Sequence, residues 1–273
     1  MINAEVTYQD LAAGFQTLGI DRSAPIIAHA SLSSFGWVRG GAETVAGALL
    51  AAFDGVMMPV FTYSTMVIPE TGPPGNGLEY GRSNDRNRMA VPFSPAMPAD
   101  RLMGAVPETF RNHRLAHRSN HPILSFTGVG VSDLLDRQRF DDPFAPIRAL
   151  VERDGWILLL GVDQSVNTTL HEAERRAGRK TFTRWALNGD GVRVCAGFPG
   201  CSNGFVDLDP VLDGFGREVR IGEARVQAFP APLVVEAARA AFADRPGGYL
   251  CKRIDCGRCA VLRVSSLTSA RGS

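Results

Sequence analysis

The chain has 273 residues, 45% of them hydrophobic and 21% charged, with a formal net charge of +1 at pH 7. Such a chain can bury a large core, and a net charge near zero gives no long-range field that would attract nucleic acid or a membrane surface. Because no apolar run is long enough to cross a bilayer and the N-terminal segment lacks the basic and apolar regions of a signal peptide, we expect a cytoplasmic protein that binds neither membrane nor nucleic acid.

Helix-like and strand-like segments alternate in the first part of the chain. Apolar residues at helical spacing predict helices over 5–19 and 40–53, and short apolar runs predict strands over 25–28 and 55–64. This order of elements favours an α/β fold with a central, largely parallel or mixed sheet and flanking helices.

The regular pattern ends at about residue 65 and resumes at about residue 100. The intervening segment is rich in Pro, Gly, Asn and Arg. A long irregular loop inside a compact chain is usually functional or disordered, so we predict a substrate-facing loop, with a tolerated insertion as the alternative.

Further strand and helix units follow this loop. GWILLLGV (155–162) predicts a buried strand and NTTLHEAERRA (167–177) a helix after it, while the last third predicts a hairpin with its turn at 188–191. We interpret residues 1–273 as a single domain that ends in a C-terminal appendage at about 181–273, a small β-rich region containing the cysteines.

Two glycine-containing turns are candidates for ligand binding. HASLSSFGWVRGG (29–41) lies between a strand and a helix, where small residues and backbone N–H groups can receive a phosphate or a pantetheine arm, although a plain polar turn fits the pattern equally well. FTGVGVSD contains Gly128-x-Gly130, but Asp133 stands where a dinucleotide fingerprint has its third glycine. We therefore interpret this second turn as structural.

The segment NTTLHEAER places His171 three residues before Glu174 near the start of a helix. Residues three apart lie on one face of a helix, so the pair could be a base with its orienting carboxylate, half of a metal site or an exposed ion pair. Its position after a predicted parallel strand favours a binding site, because ligands bind at the carboxyl edge of open α/β sheets. Asn167, Thr168 and Thr169 can cap this helix or contact the ligand.

All five cysteines lie in the last third of the chain. An odd number in a reducing compartment argues against a disulfide framework, whereas four thiolates suffice for a structural zinc site. We predict such a site, with free thiols as the alternative. A Gly-flanked turn favours Cys201 over Cys195 as the fourth ligand. The predicted zinc ligands are Cys201, Cys251, Cys256 and Cys259.

Several segments together resemble the aminoglycoside 3-N-acetyltransferase (antibiotic N-acetyltransferase) family over about residues 8–180. They are, in chain order, HASLSSFGWVRGGAETV, MMPVFTYS, MGAVPETFR, RSNHPILSF, GWILLLGVD and NTTLHEAERRA. The first and last blocks carry the most specific part of the resemblance. It implies an α/β acyltransferase with acetyl-CoA as donor and a small-molecule amine as acceptor, and it does not require the predicted zinc site.

The resemblance also implies roles for individual residues. His171 would be the general base and Glu174 the group that orients its ring. Asn167 and Thr168 would lie against the thioester end of acetyl-CoA. The pantetheine and pyrophosphate would contact His29, Ala30, Ser31, Leu32, Ser33, Ser34, Phe35 and Gly36.

The charges around the irregular loop do not determine which amine is the acceptor. The loop and its edge carry equal numbers of basic and acidic residues: Arg82, Arg86, Arg88 and Arg101 against Glu70, Glu79, Asp85 and Asp100. A balanced loop attracts a polycation poorly, so the acceptor could be the 3-amino group of an aminoglycoside or the amine of another metabolite or natural-product intermediate. Two further hypotheses are a CoA-thioester hydrolase and a non-catalytic, zinc-dependent binding protein on the same core.

Overall fold

A computed structural model of the chain describes residues 5–81 and 87–269, with the side chains of 267–269 left aside. The helices are α1 (Tyr8–Thr17), α2 (Gly41–Ala52), α3 (Ala105–Arg111), α4 (Ser132–Leu135), α5 (Ala145–Glu152), α6 (Leu170–Arg176), α7 (Asp209–Leu212), α8 (Ala231–Asp244) and α9 (Gly257–Ser269). The strands are β1 (Ile26–Ala30), β2 (Val56–Pro59), β3 (Met66–Val67), β4 (His117–Arg118), β5 (Phe126–Val129), β6 (Trp156–Leu160), β7 (Phe182–Asn188), β8 (Gly191–Phe198), β9 (Arg217–Ile221) and β10 (Ala224–Pro230).

Seven strands form the central sheet in the order β4-β5-β2-β1-β6-β10-β9. β1 is parallel to both β2 and β6, and the pairs nearer the two edges are antiparallel. A second sheet has the order β3-β7-β8. The predicted α/β class with a mixed central sheet is confirmed. The carboxyl ends of the three parallel strands meet at one edge, which is where such sheets bind ligands.

The central strands are apolar throughout because both of their faces are covered. Ile27 of β1 packs with Leu159 in the core on one side of the sheet. Ile26 packs with Leu158 in the core on the other side. All four side chains are fully buried, and each such burial stabilises the fold by about 1.5–3 kcal/mol relative to exposure. Burial on both faces therefore explains the continuous apolar runs that identified these strands.

The last third of the chain is joined to the central sheet through β10. β7 and β8 form the predicted hairpin, with Asn188 opposite Gly191 at its turn. The sequence pattern did not reveal β9 and β10, which extend the central sheet through antiparallel pairing of β10 with β6. Cys259 lies in the first turn of α9, and Cys256 immediately precedes this helix.

The irregular segment after β2 is fastened to the rest of the fold by side-chain amides. Asn87 bonds the backbone N–H and carbonyl of Ile68 at 2.8 Å each. Asn76 bonds the backbone of Thr183 at the start of β7 in the same two-sided manner. These contacts order the described part of the segment. No helix among the described residues is long and apolar enough to cross a membrane.

Candidate active site

A cavity of about 1330 Å³ lies where the parallel strands end. Its wall includes His29 and Ala30 at the end of β1, Pro59 at the end of β2 and Val162 just after β6. The volume exceeds the 300–1,000 Å³ typical of a site for one small ligand. The cavity is therefore large enough for two substrates to meet at the carboxyl edge of the sheet.

His171 and Glu174 form a direct contact at this cavity. Nδ1 of His171 lies 2.7 Å from Oε2 of Glu174, and His171 lines the cavity. Both side chains are buried, with 7% and 6% of their surface exposed, which decides against an exposed ion pair. A carboxylate on Nδ1 fixes the tautomer and the orientation of an imidazole ring, and it leaves Nε2 as the nitrogen that can accept a proton.

Arg179 extends this pair into a chain of three buried groups. Its Nη1 donates to Oε1 of Glu174 at 3.0 Å, and only 5% of its side chain is exposed. The guanidinium stacks over the ring of Phe242 at 4.2 Å and donates to the carbonyl of Pro246 at 3.1 Å. Both oxygens of Glu174 are therefore occupied, one by His171 and one by a fixed cation.

Two aromatic rings hold the imidazole of His171 from its sides. The ring of Phe144 stacks on it with centroids 5.5 Å apart, and the ring of Phe205 lies at 5.0 Å. Phe144 immediately precedes α5, and Phe205 lies in the 3-10 turn Ser202–Leu208. The orientation of the ring is thus set by packing as well as by Glu174.

The neighbouring carboxylate on α6 has a different environment. Glu172 is fully buried and pairs with Arg175 at 2.7 Å, with Arg176 at 2.9 Å and, more distantly, with Arg148 at 3.7 Å. It does not line the cavity. Because residues two apart face different directions on a helix, Glu172 fastens α6 to its surroundings while Glu174 faces His171.

His29 is the second histidine in the cavity wall. Its Nε2 lies 3.3 Å from the hydroxyl of Thr168, which also lines the cavity. Burial lowers the pKa of His29 to about 3. Its imidazole is therefore neutral at physiological pH and acts in this wall through hydrogen bonding.

The predicted pantetheine loop is divided between the cavity and the structure behind it. Its residues at the cavity are His29, Ala30, Ser31, Leu32, Ser33 and Gly36. Ser34 and Phe35 lie behind the wall. Ser34 donates to the carbonyl of Gly161 at 2.7 Å, and Phe35 is 1% exposed in the core. The 3-10 turn Leu32–Phe35 explains this division, because it directs successive side chains to different sides.

Asn167 and Thr168 are likewise separated by the structure. Asn167 is fully buried, donates to Oε1 of Gln164 at 2.8 Å and accepts from the backbone N–H of Thr169 at 3.1 Å. It shapes the turn that leads into α6 and is not part of the cavity lining, so its contact with a thioester stays a prediction. Thr168 alone of the two faces the cavity.

The irregular segment contacts the cavity only through its flanks. Tyr63 and Leu102 line the cavity, whereas no described residue of 65–81 or 87–100 does so. The described part packs elsewhere, with Gly77 against the backbone of Gly257 and Arg258 at the start of α9. The described residues of the segment thus pack behind the cavity wall, and a substrate-facing role for the loop at about 65–100 stays a prediction.

The second glycine turn is structural, as interpreted from its sequence. Gly130 has a φ of +71°, and a Cβ there would lie 2.0 Å from the carbonyl oxygen of Asp54. Neither Gly128 nor Gly130 lines the cavity. Glycine is required at position 130 by the close approach of two backbones.

The four predicted zinc ligands converge beside the cavity. The Sγ atoms of Cys201, Cys251, Cys256 and Cys259 all lie within 4.8 Å of one another. A hydrogen bond with Cys259 lowers the pKa of the Cys201 thiol to about 5 and raises that of Cys259 itself. Cys195 lies in β8 outside the group, where burial raises the pKa of its thiol to about 12.

Two arginines of the site were not identified from the sequence. Arg179 lies beyond the end of α6, so helical spacing could not select it from the nearby arginines. Arg258 lines the cavity and donates to the carbonyls of Pro199 at 3.0 Å and Gly200 at 2.7 Å. Its position between Cys256 and Cys259 in the sequence was the one feature that could have indicated its place at the site.

Comparison with known proteins identifies the family to which this chain belongs. The sequence model of the aminoglycoside 3-N-acetyltransferase family matches residues 27–243. The YokD protein of Bacillus subtilis, an aminoglycoside N(3')-acetyltransferase-like protein, is 32% identical over 62% of this chain and 65% of its own length. Aminoglycoside N(3)-acetyltransferase VIII of Streptomyces fradiae is 30% identical over 89% of this chain and 94% of its own length.

The solved structure of AAC-IIIb in a binary complex with CoASH has the same fold. It superposes with a TM-score of 0.72 at 22% identity, over 89% of this chain and 98% of its own. The match to the family model covers the ends of β1, β2 and β6 and the helix α6 that carries His171. The chain belongs to the aminoglycoside 3-N-acetyltransferase family and is an acyltransferase.

Proposed function

We propose that this protein transfers the acetyl group of acetyl-CoA to an amine, with His171 as the general base. The observation that supports this most is the buried contact of 2.7 Å between His171 Nδ1 and Glu174 Oε2 at the wall of a large cavity. A positioned base of this kind typically accelerates a reaction about 10²–10⁴-fold. A non-catalytic binding protein would have no need of such a pair at its cavity.

The proposed reaction begins with proton removal from the attacking amine. As nitrogen forms a bond to the thioester carbonyl carbon, Nε2 of His171 takes the amine proton and Glu174 stabilises the resulting imidazolium. The C–S bond then breaks, and the proton passes from the imidazolium to the departing CoA thiolate. Arg179, paired with Glu174 at 3.0 Å, keeps that carboxylate in place throughout.

Acetyl-CoA is the proposed donor, and the β1 exit loop is its proposed site. Ser31 and Ser33 line the cavity close to the N-terminus of α2 at Gly41, which favours phosphate oxygens. Trp37 and Leu102, which are 67% and 81% exposed, line the same cavity. They offer apolar surface to a pantetheine arm. CoASH in the AAC-IIIb complex supports this assignment.

For the acceptor, we propose an aminoglycoside as the leading candidate and its 3-amino group as the acetylated site. The supporting observation is the family itself together with the activity printed for the Streptomyces fradiae relative. This proposal predicts turnover with several aminoglycosides that share an accessible 3-amino group.

We infer a second candidate acceptor class from the charged side chains that line the cavity. Arg253 and Arg258 line it, whereas no Asp or Glu of the described residues does so. A site for a polycation usually provides carboxylates, and like charges inside a cavity weaken binding. We therefore keep an amine with few positive charges, or one carrying an anionic group, as the second candidate acceptor.

A panel of acceptors separates the two classes. CoA thiol release from acetyl-CoA would be followed with several aminoglycosides, with neutral amino sugars and with amines bearing a carboxylate, at matched concentrations and at low and high salt. The leading proposal predicts the highest kcat/KM for an aminoglycoside. A preference of tenfold or more for the neutral or anionic amines would transfer the assignment to the second class.

A further inference from the structure

We propose that Cys201, Cys251, Cys256 and Cys259 bind one Zn²⁺ ion and that this ion braces the cavity wall beside His171 and Glu174. The ligands come from three separate segments: the end of the β7–β8 hairpin, the loop after α8 and the start of α9. The inference rests on these side chains and their contacts, and it does not depend on the identity of the acceptor.

The geometry of the thiol group matches what zinc requires. With a Zn–S distance of about 2.3 Å, tetrahedral coordination places sulfur atoms about 3.8 Å apart. All four Sγ atoms lie within 4.8 Å of one another, so a contraction of about 1 Å completes the site. Cys201, Cys251 and Cys259 are buried, and Cys256 is half-buried. Four soft sulfur ligands in this arrangement favour zinc over harder cations.

The surroundings of the thiols supply the outer contacts that a thiolate site needs. The backbone N–H groups of Asn203 and Arg253 donate to the sulfurs of Cys201 and Cys251, each from two residues further along the chain. Zn²⁺ with four thiolates carries a net charge of −2, and Arg253 and Arg258 lie beside the cluster. Amide donors and nearby cations stabilise such a charge.

The cluster is part of the cavity wall. Cys201 and Cys256 line the cavity together with Arg258. Arg258, located between two of the cysteines, holds the carbonyls of Pro199 and Gly200. A Cβ on Gly200 would lie 3.2 Å from Oε1 of Glu174, so this backbone rests directly against the Glu174 carboxylate.

An ion at this position would therefore fix three parts of the wall at once. It would hold residues 199–201 against Glu174, keep Arg258 at the cavity and anchor the start of α9. Its role is positional, because the proposed acetyl transfer passes through His171 and requires no metal. Removing the ion should loosen this wall while leaving the central sheet intact.

The first test is the metal content of the intact, untagged protein and of single variants. We expect one zinc per chain in the wild type and a loss of at least tenfold in Cys201→Ser and Cys259→Ser. Cys195→Ala is the matched control, because it removes the one cysteine outside the cluster and should retain one zinc. Replacement of zinc by Co²⁺ in the wild type should give the absorption bands of tetrahedral thiolate coordination, which keeps the test valid if a Ser variant fails to fold.

The second test asks whether the zinc ion stabilises the cavity wall. Hydrogen exchange would be compared between the zinc-loaded wild type and the same protein after removal of the ion with a chelator. We expect faster exchange in residues 198–205 and at the start of α9, unchanged exchange in β1 and β6, and reversal by added Zn²⁺.

Three results would overturn the proposal. Wild-type protein that contains no zinc and gives no tetrahedral Co²⁺ spectrum would remove the site. Equal zinc content in the wild type and both Ser variants would place the ion elsewhere. Unchanged exchange in residues 198–205 on removal of zinc would leave a metal site but refute the brace.

Discussion

The His171–Glu174 pair and the four-cysteine cluster contribute to the same cavity wall, but they are assembled in different ways. The pair comes from one turn of one helix, so its contact depends on local spacing. The cluster joins segments that are distant in sequence, so its contacts depend on the completed fold. The proposed base is thus held by a local element, whereas the proposed metal site depends on long-range contacts of the fold.

The largest expected effect comes from His171→Ala, which separates the two regions functionally. We expect kcat for acetyl transfer to fall about 10²–10⁴-fold, because the base is lost, while the zinc content of the cluster stays at the wild-type level. Steady-state kinetics and metal analysis of the same preparation provide the measurement. Turnover within threefold of the wild type would show that another group removes the proton.

Glu174→Gln tests whether the carboxylate of Glu174 orients the ring of His171. The amide keeps the shape of the side chain but loses the charged hydrogen bonds, each worth about 1.5–3 kcal/mol, so kcat should fall about 10- to 100-fold. Glu172→Gln is the matched control on the same helix, since it disturbs arginine pairs away from the cavity and should mainly lower stability. Equal losses of kcat in the two variants would contradict the orienting role of Glu174.

Arg179→Met tests how much the buried guanidinium contributes to stability and to the function of the His171–Glu174 pair. Loss of one partner from a buried ion pair typically costs about 3–5 kcal/mol of stability. We expect a lowered midpoint of urea unfolding together with a decrease in kcat smaller than that of Glu174→Gln, because His171 keeps its contact with Glu174. A variant as stable as the wild type would argue that Glu174 is held by other groups.

The smallest effect concerns pH and His121. Burial lowers the pKa of His121 to about 4, and its Nδ1 accepts from the backbone N–H groups of Ile123 and Leu124 at 3.1 and 3.0 Å. Below the ordinary pKa near 6.5 the unfolded chain takes up a proton that the folded protein does not, so stability should fall as pH decreases from about 6.5 to 4.

His121→Asn isolates this contribution. The amide oxygen can replace Nδ1 as an acceptor and does not titrate. Urea unfolding between pH 4 and 7 should therefore show a shallower loss of stability in the variant than in the wild type. Identical slopes would mean that His121 is protonated equally in the folded and unfolded states.

Local sequence patterns predicted most of the helices, strands and turns whose formation depends on neighbouring residues. The strands at 155–162 and 25–28, the hairpin turn at 188–191 and the helix carrying His171 follow from apolar periodicity and turn residues. β9 and β10 were missed because their apolar patterns are weak. β9 is the edge strand and buries only Ile221, and β10 carries the exposed Arg225 among its buried residues. Strands with exposed positions carry a weaker sequence signal than strands that are buried on both faces.

In the candidate active site, too, the contact set by local spacing was predictable and the contacts set by the tertiary fold were not. Spacing placed His171 and Glu174 on one face of a helix, and their contact is now visible. Arg179 could not be chosen among several arginines, because it follows the helix and its position depends on Gly178, which has a φ of +74°. Asn167 was expected beside the thioester because the family resemblance implied it, whereas its side chain donates a hydrogen bond to Gln164 inside the protein.

Analysis of the reaction products tests the central claim most directly. Wild-type protein would be incubated with acetyl-CoA and each acceptor class, and CoA release would be compared with the acetylated product measured by mass spectrometry. We predict one acetylated amine for each CoA released. CoA release without an acetylated product would indicate a thioester hydrolase, and the absence of both with every acceptor would contradict an acetyltransferase that uses this cavity.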